Sequence, residues 1–586
     1  MRRTKIVCTL GPATDDATIL RQLLNGGMNI ARLNFSHGSY DEHLTRITML
    51  KELRKEMGIP AALLLDTKGP EIRIRQFGNG SIELKEGDAF TLTTEEVQGN
   101  SGIVSITYKD LPRDVKRGDT VLIDDGLIEL KVVSVKGAAI ECEVINGGTV
   151  SNNKGVNVPG VTIRLPFVSD RDRSDIIFGI EHDFDFIAAS FARTAADIKE
   201  LRKVLEEHGG ADIKIIAKIE NRDGVNNIDE ILRVSDGVMV ARGDMGVEIP
   251  FEELPAIQKA IIRKSYIAGK PVITATQMLD SMIRNPRPTR AEITDVANAI
   301  YDNTSALMLS GETAIGKHPV EAVITMSKIA VETEKNIDYV KRFRNLNISV
   351  QRNVTNAISN ATCETAHSLA ATAIVTVTKS GHTARMVSKY RPASPIIATT
   401  VSEKVWRQLS ITWGVTPVLT DLKLTTDEIF DEAIEKAVET GIVKSGDLIV
   451  ISGGMPAGIS GTTNTLKVHV VGDILLKGKG LNTLSATGNL CVVHSESDAM
   501  KYFNAGDILV IKKSSDDVLQ AIRNAAAVIT EEPGDDSSAV IVAKAMQIPV
   551  LAEAIDATDV LKSGTVATVD AGKGFVYSGA RKDMPQ

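Results

Sequence analysis

A lysine and a glutamate two positions apart, Lys218-Ile219-Glu220, would project from one face of a strand and set an ammonium beside a carboxylate. A second carboxylate, Asp244, closes another short apolar run, and no histidine cluster accompanies the pair. Two carboxylates in an all-oxygen setting suit Mg2+ or Mn2+ rather than zinc. Arg32, Arg73 and Lys218 supply cations for a phosphate. Asn34, Ser36, Asp66 and Thr67 add hard oxygen donors with one carboxylate among them, a set suited to a monovalent cation. A metal, a lysine and arginines around a phosphate stabilise the charge that develops in phosphoryl transfer. The same array would stabilise an enolate.

These residues stand where short apolar runs end. The runs are Lys5–Thr9, Asn29–Leu33, Ala61–Asp66, Asp185–Ser190, Ile213–Ile219, Gly237–Ala241, Pro271–Thr276 and Ser305–Ser310. Each is rich in Val, Ile, Leu and Ala without clean alternation, as strands buried on both faces are. Helix-like stretches separate most of them, and Ser39 with Glu42 and Thr289 with Glu292 are spaced as capping boxes. Eight such units predict a (β/α)8 barrel, whose active site lies at the C-terminal ends of the strands. Polar clusters at the ends of five runs, from Arg32 to Gln277, would therefore converge on one pocket.

The rhythm breaks after the third run. Between Gly69 and about Asp170 short β-like pieces alternate with Gly-rich turns, which predicts a small β-barrel domain inserted at the mouth of the larger barrel. The βα alternation resumes after about residue 340 with AAIVTVT, SPIIATT, GDLIVISGG and TLKVHVVG, and a last segment carries DILVI, AVIT and SGTVATVDA. The expected division is 1–69 with 171–340 for the barrel, 70–170 for the insertion, 341–473 for a parallel-sheet α/β domain, and 474–586 for an appended α/β domain. A length of 586 residues accommodates three or four domains.

Composition narrows the partners. A net charge of -8 with no long basic run leaves no electrostatic footprint for nucleic acid or a polybasic membrane patch. No apolar stretch approaches the ~20 residues that cross a bilayer. Met1-Arg2-Arg3 runs straight into KIVCTL without a signal peptide. The four cysteines, Cys8, Cys142, Cys363 and Cys491, lie far apart, as reduced thiols of a cytoplasmic protein do.

The motifs KIVCTLGP, ARLNFSHG, LDTKGPEIR, NKGVNVPG, IAKIEN, MVARGDMGVEIP, ITATQMLDSM, NPRPTRAE and LMLSGETA occur in this order. Together they resemble the pyruvate kinase family through residues 1–475. The resemblance implies transfer of the phosphoryl group of phosphoenolpyruvate to ADP, giving pyruvate and ATP, in a homotetramer with an effector-binding α/β domain. It implies that Lys218 stabilises the transferring phosphoryl group and the enolate, and that Glu220 and Asp244 hold the divalent metal. Arg32, Gly243, Asp244 and Thr276 would contact the substrate, while Asn34, His37, Arg73 and Lys154 would face the nucleotide. Asn34, Ser36, Asp66 and Thr67 match the family's K+ site, and a glutamate at position 71 accompanies potassium dependence there. Protonation of the enolate would pass through water near Thr276 and Ser310. The stretch YDNTSALMLSGETA departs from the family's YDGTDAVMLSGETA: Asn303 replaces a glycine and Ser305 an acid.

Thr378-Lys379-Ser380-Gly381-His382-Thr383 joins a strand to a helix-like stretch, a turn whose hydroxyls and N–H groups could cradle a phosphate. The family places a sugar-phosphate or nucleotide effector there, completed near Ser460-Gly461-Thr462-Thr463-Asn464. The appended domain resembles the swivelling phosphohistidine domain of phosphoenolpyruvate synthase and pyruvate phosphate dikinase, whose TxxGGxxSHA motif carries the phosphoryl group on histidine. Here Ser538 stands in that histidine's place, and a serine is no phosphorelay nucleophile at neutral pH. His494 is expected to be a plain surface or strand histidine. Two other readings share part of this pattern: a metal-dependent aldolase acting on pyruvate or oxaloacetate, and a sensor that keeps the fold without the reaction. The first needs neither an inserted lid nor a potassium cluster, and the second would have lost Lys218, Glu220 or Asp244.

Overall fold

The computed structural model describes the whole chain except residues 346–352, 455–462, 473, 495–497, 499, 500, 516, 517 and 581–586. Two compact units divide it: residues 1–367, 374–433 and 452–466 in the first, 368–373, 434–451 and 467–586 in the second.

The first unit is built on a closed barrel of eight parallel strands, Lys5–Thr9, Ile30–Asn34, Ala62–Asp66, Phe186–Ala189, Lys214–Ile219, Gly237–Ala241, Val272–Ala275 and Ala306–Leu309. The eighth pairs with the first, Lys5 opposite Ala306, to close the ring. The eight expected runs are these eight strands. Val7, Ile30, Leu64, Phe186, Ala188, Ile216, Met239 and Ile273 pack together in one core within the ring. Their immediate neighbours, such as Cys8, Ala31, Leu63, Leu65, Ile187, Ile215 and Ala217, join the core formed with the surrounding helices. The period of two explains why the runs read as continuously apolar. Both expected capping boxes are made: the Ser39 hydroxyl accepts from the Glu42 N–H, and that of Thr289 from the Glu292 N–H.

The insertion between the third and fourth barrel strands has its own core, with Phe90, Leu130 and Ile140 fully or almost fully buried. Its seven-stranded sheet runs in the order Ile72–Arg73, Gly155–Asn157, Thr120–Ile123, Ile128–Lys136, Ala139–Asn146, Ala89–Thr93 and Ile103–Ser105, beside a two-stranded ribbon of Gly148–Ser151 and Ser81–Leu84. Later in the first unit Ile374–Val377, Ile396–Thr400 and Val415–Leu419 pair in parallel.

In the second unit an eight-stranded mixed sheet has a parallel centre, Ser485–Val493, Ile508–Ile511, Ala527–Thr530 and Val550–Ala552, with antiparallel strands on either side. The helix Ser538–Ala545 lays Ala539, Val540 and Ala543 into the core formed with Val528 and Val550. Among the described residues no helix is long and apolar enough to cross a membrane. All four cysteines are buried free thiols.

Candidate active site

The inward-facing series of the barrel strands change character at their C-terminal ends. Ile30 is followed two positions on by Arg32, Leu64 by Asp66, Ala188 by Ser190, and Ile216 by Lys218 and Glu220. Strand alternation alone therefore brings these polar groups to one mouth. Lys218 Nζ lies 3.1 Å from Asp66 Oδ1 and 3.0 Å from Glu220 Oε1, and donates to Ser190 Oγ at 2.8 Å. Arg32 Nε donates to Asp66 Oδ2 at 2.6 Å and its Nη1 to Thr9 Oγ1 at 2.8 Å. Burial opposes the Lys218 charge, but the Asp66 and Glu220 carboxylates outweigh it and hold the pKa above the ordinary lysine value. Burial likewise opposes the Asp66 charge, and Lys218 and Arg32 more than offset it, so its pKa falls.

Glu220 behaves in the opposite sense. It is fully buried, and burial first, then the charges of Asp244 and Asp66, push its pKa up to about 7. Its Oε2 accepts the Phe191 N–H at 2.6 Å, while Oε1 faces Lys218 without hydrogen-bond geometry and has no other partner among the described residues. A buried carboxylate oxygen that accepts no hydrogen bond, together with the half-buried Asp244, is a donor set that fits a hard divalent cation. No cluster of three or more His, Cys, Asp or Glu side chains with metal-site spacing exists among the described residues, so such an ion would take its remaining ligands from substrate and water.

Thr276 and Gln277, just past the seventh strand, have φ of 67° and 54°. A β-branched residue in the left-handed region is strained, and here neighbouring groups hold it. Arg242 Nη2 donates to the Thr276 carbonyl at 2.7 Å, with Nη1 anchored on Asp295 at 2.6 Å. The Gly243 N–H donates to Thr276 Oγ1 at 2.8 Å. Thr276 Oγ1 donates in turn to the Ala275 carbonyl at 2.5 Å. Ser310 Oγ is buried without a partner among the described residues.

A cavity of about 350 Å³ opens over Lys218 and Glu220; Asp66, Thr67, Gly243, Thr276 and Ser310 are not among its lining residues. The barrel contributes Arg32, Asn34, Ser36, His37, Lys218, Glu220 and Asp244, and the insertion contributes Arg73, Asp124, Asp125 and Lys154. The insertion sets its two cations side by side because Gly155 pairs with Arg73 across adjacent antiparallel strands. Lys154 Nζ pairs with Asp124 Oδ1 at 2.9 Å, and Glu71 lies between Arg73, at 2.5 Å, and Lys68, at 3.6 Å. Asn34 Oδ1 accepts the Ser36 N–H at 3.1 Å, and the Thr67 carbonyl accepts from Ser190 Oγ at 2.6 Å.

Ser190 and Arg242 are the side chains that the sequence reading left without a role. Ser190 links Lys218, Asp66 and Thr67, but a serine ending an apolar run carries no signal of its own. Arg242 adjoins Gly243 and Asp244, so its proximity to the site was readable, though its grip on the Thr276 turn was not.

The departures near the eighth strand have local explanations. Asn303 has φ +74°, a conformation asparagine adopts more readily than most residues other than glycine. Ser305 Oγ accepts from Arg391 at 3.2 Å. At the Thr378–Thr383 turn Gly381 has φ +76°, the helix begins at His382, and Thr383 Oγ1 meets Thr463 Oγ1 at 2.9 Å. Ser460, Gly461 and Thr462 lie outside the described residues. In the second unit Ser538 is exposed at the first turn of its helix, and the Ser537 hydroxyl caps that helix. His494 is exposed just past its strand.

A parallel α/β barrel with a lysine, arginines and a carboxylate pair at its mouth, beside further cations of the insertion, belongs to the barrel enzymes that handle phosphorylated and enolic substrates. The comparisons make the assignment specific. Residues 1–323 match the family model for the pyruvate kinase barrel domain, 356–469 that for the pyruvate kinase alpha/beta domain, and 503–574 that for the mobile domain of PEP-utilising enzymes. The chain is 51% identical over 581 residues to a pyruvate kinase of Bacillus licheniformis, covering 99% of each chain. It is also 51% identical over 580 residues to one of Geobacillus stearothermophilus, again over 99% of each. A crystal structure of a pyruvate kinase from Cryptosporidium parvum superposes with a TM-score of 0.77 at 41% identity, over 80% of this chain and 96% of that one. The chain belongs to the pyruvate kinase family. It is a transferase whose substrates are phosphoenolpyruvate and ADP, and the family is metal-dependent.

Proposed function

We propose that the barrel mouth performs the family's reaction with Lys218 as the group that stabilises the phosphoryl group in flight. The fixed position of Lys218 Nζ, among Asp66, Glu220 and Ser190, carries this reading. Arg32, aligned by Asp66 and Thr9, faces the phosphate of phosphoenolpyruvate. The Gly243 and Asp244 backbone and Thr276 receive the carboxylate end. Arg73, Lys154, Asn34 and His37 take the ADP phosphates. A phosphate oxygen of ADP bonds to the phosphorus as the bond to the enol oxygen breaks, and Lys218 balances the charge on both sides of that exchange.

Glu220 and Asp244 would hold Mg2+ or Mn2+, which when bound supplies further charge stabilisation for the phosphoryl oxygens. Asn34, Ser36, Asp66 and Thr67 would hold K+. The enolate left behind takes a proton at its methylene carbon. Thr276 Oγ1 already donates to the Ala275 carbonyl, so the proton arrives from water in the direction of Ser310 rather than from that hydroxyl.

The Thr378–Thr383 turn, with Thr378, Lys379, Ser380, Gly381, His382 and Thr383, is assigned to a sugar-phosphate or nucleotide effector. The protein works as a homotetramer in the cytoplasm, with the insertion at 70–170 as lid and 341–473 as effector domain. The region 474–586 keeps the phosphohistidine architecture without its carrier residue. A coupled assay of pyruvate formation tests this reading. Turnover should require ADP and a divalent cation and fall at least about tenfold when potassium is replaced by a bulky organic cation. A phosphorylated effector should lower the phosphoenolpyruvate concentration at half-saturation. Pyruvate release that is independent of ADP would overturn the assignment.

A further inference from the structure

At the base of the barrel, where the seventh and eighth strands begin, a cavity of about 10 Å³ is lined by Lys270, Ser305, Arg385, Lys389, Arg391 and Thr412, among others. Four of these six carry positive charge, and none of the four forms an ion pair with a carboxylate among the described residues. Each meets neutral acceptors instead. Lys270 Nζ donates to the Leu232 and Ser235 carbonyls, Lys389 Nζ to Asn356 Oδ1 at 2.9 Å, and Arg385 Nη1 to the Ser380 carbonyl at 3.1 Å. Arg391 Nη2 donates to the Asn303 carbonyl at 2.9 Å and to Ser305 Oγ at 3.2 Å, and Nη1 to the Ser388 carbonyl at 3.4 Å. Its guanidinium sits 4.7 Å over the Trp413 ring.

Two polar atoms here have no partner among the described residues: Arg391 Nε and Thr412 Oγ1, on residues each 4% exposed. The nearby acid Asp236 acts at a distance on Lys270 and Arg385, but its carboxylate is held by Arg202 at 2.6 Å. Burial lowers the pKa of all four cations, that of Arg391 to about 10, and the carboxylates that act on them from a distance, Asp236 on Lys270 and Arg385 and Glu334 on Arg391, only partly oppose it. A buried charge without an ion-paired counter-charge is costly.

We propose that this cavity binds one monatomic anion of the halide type, held by Arg391 Nε and the Thr412 hydroxyl within the field of Lys270, Arg385 and Lys389. The size is part of the argument, because about 10 Å³ is the room of a single water-sized occupant. The position of Ser305 is the other part. The side chain that faces Arg391 Nη2 here, at 3.2 Å, is a hydroxyl rather than a carboxylate, which leaves the Arg391 charge unneutralised. The anion would join the segment that begins at the Thr378–Thr383 turn to the base of the seventh and eighth strands. This site is independent of the active-site roles proposed above.

Two measurements on the full-length protein test it. Crystals soaked in bromide should show an anomalous peak beside Arg391 Nε. The melting temperature should be about 2 °C higher in potassium chloride than in potassium gluconate at equal ionic strength. Ser305→Asp places a tethered carboxylate against Arg391 and should abolish both the peak and the chloride dependence. Absence of the bromide peak in the wild-type protein overturns the proposal whether or not the variant folds. So does a peak or chloride shift that persists unchanged in a folded Ser305→Asp protein, since that would place the anion elsewhere.

Discussion

Lys5 and Lys218 stand at opposite ends of the same barrel, both nearly excluded from solvent at 8% and 9% exposure. Lys5 begins the first strand and points its ammonium at a single carbonyl, that of Val415, at 2.6 Å. Burial, and then the neighbouring Arg2, lower its pKa to about 7. Glu334 is near, but its oxygens already accept the Arg3 and Thr4 N–H groups and the Thr4 hydroxyl. Lys218 ends the fifth strand between two carboxylates, and its pKa rises. Depth of burial is the same, so the difference is in the company each lysine keeps. At the mouth the barrel supports a permanent positive charge, whereas at the base it comes close to expelling one.

The largest effect should come from removing the charge at the mouth. Lys218→Met keeps the length of the side chain and deletes its ammonium, and we expect kcat to fall by at least about a thousandfold, as it does when preorganised charge is removed from a transition state. The KM for phosphoenolpyruvate should change far less. Fold integrity is readable independently by circular dichroism, because Arg32 still covers Asp66. A variant that retains kcat within tenfold would erase the functional side of the comparison.

The same change at the base should do the reverse. In Lys5 the folded pKa lies below the unfolded value of 10.5. The folded state therefore binds the proton less well, and stability contributed by this group rises as pH increases from about 7 toward 10.5. Below pH 7 the penalty of holding the ammonium is present in full. Lys5→Met removes that penalty, so at pH 7 the variant should melt about 2 °C above the wild type, and the gap should close by pH 10. Turnover should change by less than twofold. A variant that melts lower at pH 7, or a gap that does not depend on pH, would show that Lys5 is fully charged in the folded protein.

Much of this architecture could be read before any coordinates. Strands buried on both faces announce themselves as apolar runs, and all eight did. The polar residues that end them were readable for the same reason, since few other positions in such a run tolerate charge. What could not be read was the pairing between strands. That Ser190, just past the fourth strand, would steady Lys218 of the fifth depends on barrel register, which no local pattern records. The Phe191 N–H on Glu220 and the hold of Arg242 on the strained Thr276 turn are bonds between a side chain and the backbone of a distant segment, equally silent in sequence. The base of the barrel was the least legible region, because a lysine opening a strand reads as a solvated end.

The smallest effect is expected at Ser538, which carries the comparison to a residue whose charged neighbours are exposed. It follows the strand Ala527–Thr530 and opens a helix, a placement formally like that of the barrel's functional loops. Its surroundings differ from those of Lys218 in every respect that mattered above. Ser538 is exposed, and its neighbours Asp535 and Asp536 are exposed acids, with Lys479 near Asp535 at 3.6 Å and Glu553 at 3.2 Å. Among the described residues no base is hydrogen-bonded to the Ser538 hydroxyl, and a free serine hydroxyl is a poor nucleophile without one. Ser538→Ala should therefore leave kcat and KM within about twofold, and mass spectrometry after incubation with phosphoenolpyruvate should find no phosphate on Ser538 or His494. Ser538→His restores an imidazole, whose pKa near neutrality suits a phosphoryl carrier. If position alone made the carrier, this variant would become phosphorylated to stoichiometry. We expect it to remain unmodified, because the lesson of the two lysines is that the framing groups, not the side chain by itself, confer the chemistry. A transferable phosphoryl group on Ser538 of the wild-type protein would refute the assignment of this segment as silent.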